Sequence, residues 1–434
     1  MMVKKKVVIF CLFFLLCPCF CLCKTLHINI HGPGEKKINV FVSSLMDLNE
    51  NKKECPIYLK FFRETLIKNF SFLPFVNLIS SAEILGGSEI KGFSRDKIDF
   101  NKFYLSKVDM LILVGWKEEE NRTFVEIKGY DVFNQMLFIG KRYEIEPVLI
   151  YNVANRFCAS FLEKLVGIKG FFDSYLALIV KKDNFRDIYV CTPQGYNWQR
   201  ITRTDGLCLS PAWSWDNRYI AFTLIKNQSS QLWVYDVEKN SFKQIPVPGN
   251  TVISPAFTPD GYLSVSLDFY GNPDIYLLRG NKIVKELVKG WGIDISPSFD
   301  RKGKKMAFVS SRLGSPQIFI LDLDSKKISR ISYEGNYNTD PAISPDGRYV
   351  VYSRLTDSGH RLILHDLNTG EEKQISFGPG NDEHPTWGPD GFFIAFTSNR
   401  SGRYKVYITT RLGTKAIPIK QDVEGDIISP SWSK

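Results

Sequence analysis

Histidine is scarce in this chain, with five in 434 residues. His27, His31, His360, His365 and His384 show no metal-ligand spacing with cysteine, and His360 and His365 stand at opposite ends of one alternating strand. A metal centre needs its ligands convergent on one ion, so no histidine site is expected. The nucleophile elbow of the hydrolases is missing too, since the nearest stretch, GGSEI (86–90), lacks the final glycine. HGPGEKK (31–37) does not run on into the glycine and lysine of a phosphate-cradling loop. After the first six residues no lysine/arginine block is dense enough to mark a nucleic-acid surface, and no such partner is expected. These absences favour binding over catalysis.

Long apolar runs and most cysteines are confined to the first 23 residues. MMVKKK precedes VVIFCLFFLLCPCFCLC, an uncharged run of 17 residues. A basic start before an apolar run of this length reads as a secretory leader, whereas a span needs roughly 20 apolar residues. Cleavage is expected near Cys23, and no Leu-small-small-Cys pattern marks a lipoprotein. Removing 1–23 takes three lysines from a formal charge of +10, leaving +7, and takes five of nine cysteines. Cys55, Cys158, Cys191 and Cys208 remain; buried free thiols are expected, with a Cys191–Cys208 bridge as the alternative. The basic excess reads as a solvated surface, with attraction to anionic lipid or wall polymer as the weaker reading.

What the chain has in abundance is repetition. A phrase of the type SPAW recurs at Pro211, Pro255, Pro297, Pro341, Pro385 and Pro430, at spacings of 44, 42, 44, 44 and 45 residues. Two residues after each proline stands a large apolar side chain: Trp213, Phe257, Phe299, Ile343, Trp387 and Trp432. TPDG (258–261), SPDG (344–347) and GPDG (388–391) carry turn chemistry, with SWDN and DRKG in the same slot. Alternating strands follow, such as YIAFTLI, then QLWVYDV, then FKQIPV. Four short strands in roughly 40–45 residues is the signature of a propeller blade. YLALIVK (175–181), DIYVCT (187–192) and WQRITR (198–203) form a sixth set lacking a first strand, and DIISPSWSK at the C-terminus is a first strand lacking a set. The expectation is a six-bladed β-propeller of four-stranded antiparallel blades, its ring closed by the C-terminal strand so that no sheet edge stays open.

Residues before about 168 lack the period. KKINVFVSSL alternates as a strand, ECPIYLKFFRETLIKNF has helical spacing, and VDMLILVGW reads as a strand buried on both faces. RTFVEIKGYDVF and QMLFIGKRYEI read as paired strands around Asn134, VANRFCASFLEKLVGI as a helix, and 86–102 as an exposed loop. The expected organisation is two-domain: leader 1–23, small α/β N-terminal domain 24–168, and all-β propeller 169–434.

Carboxylates gather just before the innermost strands: Asp205, Asp294, Asp340, Asp382, Glu383 and Asp426, with Asp294 and Asp382 at one phase, three residues before the proline. Innermost strands line a propeller's channel, so these residues form a candidate acidic collar for a basic partner segment. Calcium, which favours several oxygen ligands, is the candidate cation there; no other cofactor is expected. The alternative is that these side chains cap their own turns.

An exported chain with FLEKLVGIKGFFDSYLALIV (161–180), GYNWQRIT (195–202) and blades of the SPAWSPDG type resembles the TolB family over essentially its whole mature length. The resemblance implies a periplasmic, non-enzymatic, monomeric adaptor of the Tol–Pal system. It implies binding of the lipoprotein Pal at one end of the propeller and communication of the N-terminal region with the inner-membrane protein TolA. The system serves outer-membrane constriction and integrity, and bacteriocins exploit it. On this resemblance Lys24, Thr25, Leu26, His27 and Ile28 are the partner-responsive segment and the acidic collar is a contact for Pal. SWDN, DRKG and CTPQGYN depart from the family's turn pattern. The competing function is a secreted propeller enzyme or carbohydrate-binding protein using the channel.

Overall fold

The computed structural model describes residues 37–49, 54–167, 170–269 and 271–434. The expected leader and the segment Lys24 to Ile28 lie outside the described residues. Among those described, no helix is long and apolar enough to cross a membrane.

The N-terminal α/β region is built on five strands: β1 (Ile38–Asp47), β2 (Val76–Leu78), β3 (Met110–Glu119), β4 (Arg122–Asp131) and β5 (Met136–Glu144), ordered β2-β1-β3-β4-β5. β1 runs parallel to β2 and β3, and β3, β4 and β5 are antiparallel. Three helices pack on it: α1 (Ile57–Ser71), α2 (Phe100–Leu105) and α3 (Ile150–Val166). Strand alternation divides the core. Ile38, Val40, Met110, Ile112 and Val114 meet Leu59, Phe62 and Leu66 of α1 and Phe157 and Phe161 of α3, while Phe41, Leu111 and Leu113 face Phe100 and Phe103 of α2. Burial on both sides is why the β3 sequence is an unbroken apolar run.

One expectation here needs correction. The stretch 86–102 is not wholly an exposed loop: Ile98 and Phe100 are buried, and Phe100 opens α2, capped by the Asp99 carboxylate accepting from the Lys102 amide. Spacing hid this, because α2 is only six residues long and shows less than two turns of periodicity.

Beyond α3 the chain is β-structure. The repeats anchored on Pro255, Pro297, Pro341 and Pro385 each form a four-stranded antiparallel sheet. The Pro211 repeat lies in an eight-stranded sheet, joined by a single parallel bridge, Arg186 to Leu207, to a second group of four. In that group Asp426–Trp432 lies antiparallel to Leu176–Lys182, pairing Ile427 with Val180 and Trp432 with Leu176. Trp432 is fully buried, donates Nε1–H to Ser174 Oγ at 2.7 Å, and meets Phe171 edge-on. All four cysteines among the described residues are free, with Cys158, Cys191 and Cys208 buried.

The repeat phrase gains its meaning at the contacts between sheets. Where the residue after the proline carries a hydroxyl, it accepts from the next repeat: Ser298 Oγ from the Ile343 amide, Thr386 Oγ1 from the Trp432 amide, and Ser431 Oγ from the Trp213 amide. The first strands pack side by side in succession, and Asp426–Trp432 packs beside both Asp382–Trp387 and Leu207–Trp213.

Turn chemistry explains one weak spot. Ser214, Thr258 and Ser344 donate their hydroxyls to the turn carboxylates Asp216, Asp260 and Asp346. Gly388 occupies that slot in the Pro385 repeat and brings no hydroxyl to Asp390; the Asp390 Oδ2 atom is out of water with no partner, and burial pushes its carboxyl up to about 6. Folded Asp390 therefore keeps its proton where the unfolded chain has lost it, and this group makes stability fall as pH rises from about 4 to about 6. A Cβ at Gly388 would lie 3.3 Å from Asp390 Oδ1, close but with a side chain that can give. Gly388→Ser is expected to restore the missing donor, raising stability at pH 7 by about 0.5–1.5 kcal/mol and flattening the fall with pH. Urea denaturation at pH 4.5 and pH 7 tests both; an unchanged or lower midpoint at pH 7 contradicts it.

Candidate partner-binding site

Each first strand carries the same local distortion. The residue before the proline is left-handed without being glycine: Ser210 (φ 49°), Ser254 (50°), Ser296 (57°), Asp340 (53°), His384 (50°) and Ser429 (50°). Pairing slips one residue at each of these places, which makes each a β-bulge. A bulge re-aims a side chain, and the left-handed turn costs on the order of 1–2 kcal/mol per residue. All six side chains are half-buried on the first strands of their repeats. Four are serines and two are ionisable, Asp340 and His384, on consecutive repeats. With Thr339 and Glu383 beside them they make this side of the site polar, whereas Leu209, Ile253, Ile295 and Ile428 hold the matching positions elsewhere.

The six acids of the expected collar divide into two groups. Asp294 and Asp382 are fully buried. Arg312 Nη2 donates to both oxygens of Asp294 at 3.1 Å, and Arg400 Nη2 donates to Asp382 Oδ1 at 2.7 Å. Between them, at the same phase, buried Asn338 accepts from Arg354 Nε at 3.0 Å. Their common phase therefore places an acid or amide against an arginine of the same repeat, within the second strand for Arg354 and two residues past its end for Arg312 and Arg400. Asp205 is exposed, with Lys226 Nζ 3.6 Å away. Asp340 and Glu383 are half-buried on the bulges. Asp426 accepts from the Tyr404 amide at 3.3 Å, and the side chain of Tyr404 reaches Glu383. Tyr404 thus links Glu383 and Asp426 across two repeats, and burial, with Glu383 beside it, raises its hydroxyl above the usual range. Among the described residues no three histidine, cysteine or acidic side chains come close enough to hold a metal ion.

Sequence reasoning missed His384 and Tyr404 beside these acids. His384 sits in the phrase EHPTW, at the position where four repeats have serine. An outlier at a repeated position was the available signal, and metal-ligand spacing does not register it.

The departures from turn consensus also have a structural place. In CTPQGYN, Gln194 is buried and donates to Asn69 of α1 at 3.1 Å and Asn155 of α3 at 3.3 Å, and Asn69 Nδ2 donates to Asn155 at 2.9 Å. Tyr196 stacks on Tyr151 of α3. Gly195 is left-handed (φ 85°), and a Cβ there would come within 1.9 Å of the Lys420 carbonyl oxygen. The altered turn is where the first repeat grips the N-terminal region.

The family model described as the TolB beta propeller domain matches residues 162–434. The Tol-Pal system protein TolB of Nitratidesulfovibrio vulgaris is 40% identical over 293 residues, 66% of this chain and 66% of that protein, so the match spans just under two thirds of the relative's length. Protein TolB homolog of Chlorobium luteolum is 32% identical over 317 residues, 73% of this chain and 72% of that protein. The crystal structure of TolB from Acinetobacter baumannii has the same fold, with a TM-score of 0.79 at 18% identity over 93% of this chain and 98% of that one. With its repeats of four antiparallel strands behind an α/β region, the chain belongs to the TolB β-propeller family.

Proposed function

We propose that this protein is the periplasmic adaptor of a Tol–Pal system and performs no catalysis. It binds a Pal-type lipoprotein through the mouth formed by the innermost strands, and its N-terminal region, Lys24 to Ile28 included, couples to a TolA-type inner-membrane protein during outer-membrane constriction. The observation that carries this reading is the 40% identity to a Tol-Pal system protein over 293 residues. The propeller is read as six blades, with Asp426–Trp432 completing the blade begun by Leu176–Lys182. The succession of first strands, each packed beside the next, supports that count.

The polar side of the mouth is where a basic segment would enter, because Asp340 and Glu383 remain partly open to water and Asp426 has, among the described residues, only the exposed Arg403 at 4.0 Å, while Asp294 and Asp382 are buried against their arginines. Calorimetry of the chain from residue 24 with the Pal-type lipoprotein of the same organism tests the reading. Asp340→Asn with Glu383→Gln is expected to weaken binding about tenfold, as loss of two charged contacts would. Unchanged affinity moves the contact elsewhere; no binding by the parent chain removes the adaptor reading.

A further inference from the structure

One repeat is shorter than the rest, and the shortening is local. The interval from Pro255 to Pro297 is 42 residues against 44 for its neighbours. In the turn after the first strand, six positions separate Phe257 from its partner Leu263. Seven separate Trp213 from Ile220, Phe299 from Met306, Ile343 from Val350 and Trp387 from Ile394. In the last turn of the same sheet Arg279 pairs with Lys282 across only Gly280 and Asn281, whereas in the Pro211 repeat Asp236 pairs with Ser241 across four residues. Turns one and three of an antiparallel sheet lie at the same end, so both shortenings open space on one face.

A cavity of about 650 Å³ occupies that space. Asp260, Gly261 and Tyr262 of the short first turn and Arg279 and Gly280 of the short last turn line one side, and Lys239, Ser241 and Lys243 of the Pro211 repeat line the other. Val234, Ile245, Phe257, Leu263 and Leu278 give it an apolar floor. In the Pro385 repeat the matching place is filled, with Tyr349 packed on Trp387 and Arg411 laid over Tyr349.

The charges at the rim are not balanced. Asp236 accepts from the Lys239 amide and pairs with Arg218, and Asp260 accepts from the Thr258 hydroxyl. Lys239, Lys243 and Arg279 make no ion pair among the described residues, and a hydroxyl bond leaves Asp260 charged, so three free cations outnumber one carboxylate over an apolar floor. Clefts of roughly 300–1,000 Å³ with apolar walls and a few convergent polar groups are the usual form of small-molecule sites. A free inorganic anion would leave this floor unused, and a neutral apolar molecule would leave the cations unused.

We propose that this cleft binds a small organic anion with an apolar body: a carboxylate, sulfonate or phosphate held by Lys239, Lys243 and Arg279, with its body on Phe257, Leu263 and Leu278. The site lies outside the bulged mouth and does not depend on the adaptor reading.

Fluorescence titration of the chain from residue 24 with anilinonaphthalene sulfonate is the test. Saturable one-to-one binding is expected, displaced by decanoate but not by acetate or by decyltrimethylammonium, which has the same body and opposite charge. Lys243→Glu with Arg279→Glu is expected to weaken binding about tenfold or more. A second variant inserts an arginine between Gly261 and Tyr262, as the DNRY and DGRY turns of the Pro211 and Pro341 repeats have it; it is expected to close the cleft and abolish binding, with circular dichroism confirming the fold. Absence of saturable binding overturns the proposal. So does displacement by the cationic amphiphile, or affinity unchanged in either folded variant.

Discussion

Deleting residues 427–434 is expected to abolish most of the folded stability of this protein. The segment supplies Ile427 and Trp432, both fully buried, and all but the Asp426 end of one strand's pairing with Leu176–Lys182. Ser433 adds a bond in each direction with Tyr175, at 2.8 and 2.9 Å. Truncating one buried tryptophan costs about 3–5 kcal/mol, and whole domains are stable by only about 5–15 kcal/mol, so loss of the strand approaches the total. What remains exposed is worse than a cavity. Leu176, Ala177, Leu178 and Ile179, none of them solvent-exposed in the intact chain, would form a bare apolar edge, and such an edge pairs with other chains. Trp432→Ala provides the graded version, with a loss of about 3–5 kcal/mol and no missing strand. Urea denaturation and light scattering of both read the effect. A deletion mutant that unfolds at the parent midpoint and stays monomeric would show that the strand closes nothing.

That segment was also the most legible part of the sequence, since a first strand without its set and a set without its first strand specify each other. The strands of the repeats, and those of β1, β3, β4 and β5, were readable for the same reason: alternation and turn residues are local signals. What escaped was information held between distant positions. Asp294 and Asp382 stood at one phase in the sequence, but their arginine partners lie 18 residues on, and nothing in a strand pattern joins the two. Gln194 looked like a decayed turn residue because its partners, Asn69 and Asn155, belong to helices of another region. Trp215 of SWDN likewise looked irregular; it donates to the Phe257 carbonyl of the next repeat. Consensus turns close a repeat on itself, and departures from consensus mark where a repeat reaches outward.

The arginine partners give the second large effect. Arg400→Ala and Arg312→Ala each leave a fully buried carboxylate without its counter-charge, and removal of one member of a buried pair costs about 3–5 kcal/mol. Asp382 is the more exposed to this loss in energetic terms, since its Oδ2 has no partner even in the intact protein. Replacing both members together, Asp382→Leu with Arg400→Leu, is expected to cost much less than Arg400→Ala alone, because the desolvated charge goes with its partner. Denaturant midpoints of the two singles and the double decide this; a double as damaging as the sum of its singles would show that the side chains act separately. The outcome also bears on the proposed partner site. Asp382 immediately precedes Glu383 and the bulged His384, so an arginine that fixes Asp382 fixes the backbone from which those two side chains are aimed. A carboxylate that bound a partner directly would lose affinity without losing stability when changed. Asp382 is expected to lose stability first, and affinity only as the geometry of its two neighbours relaxes.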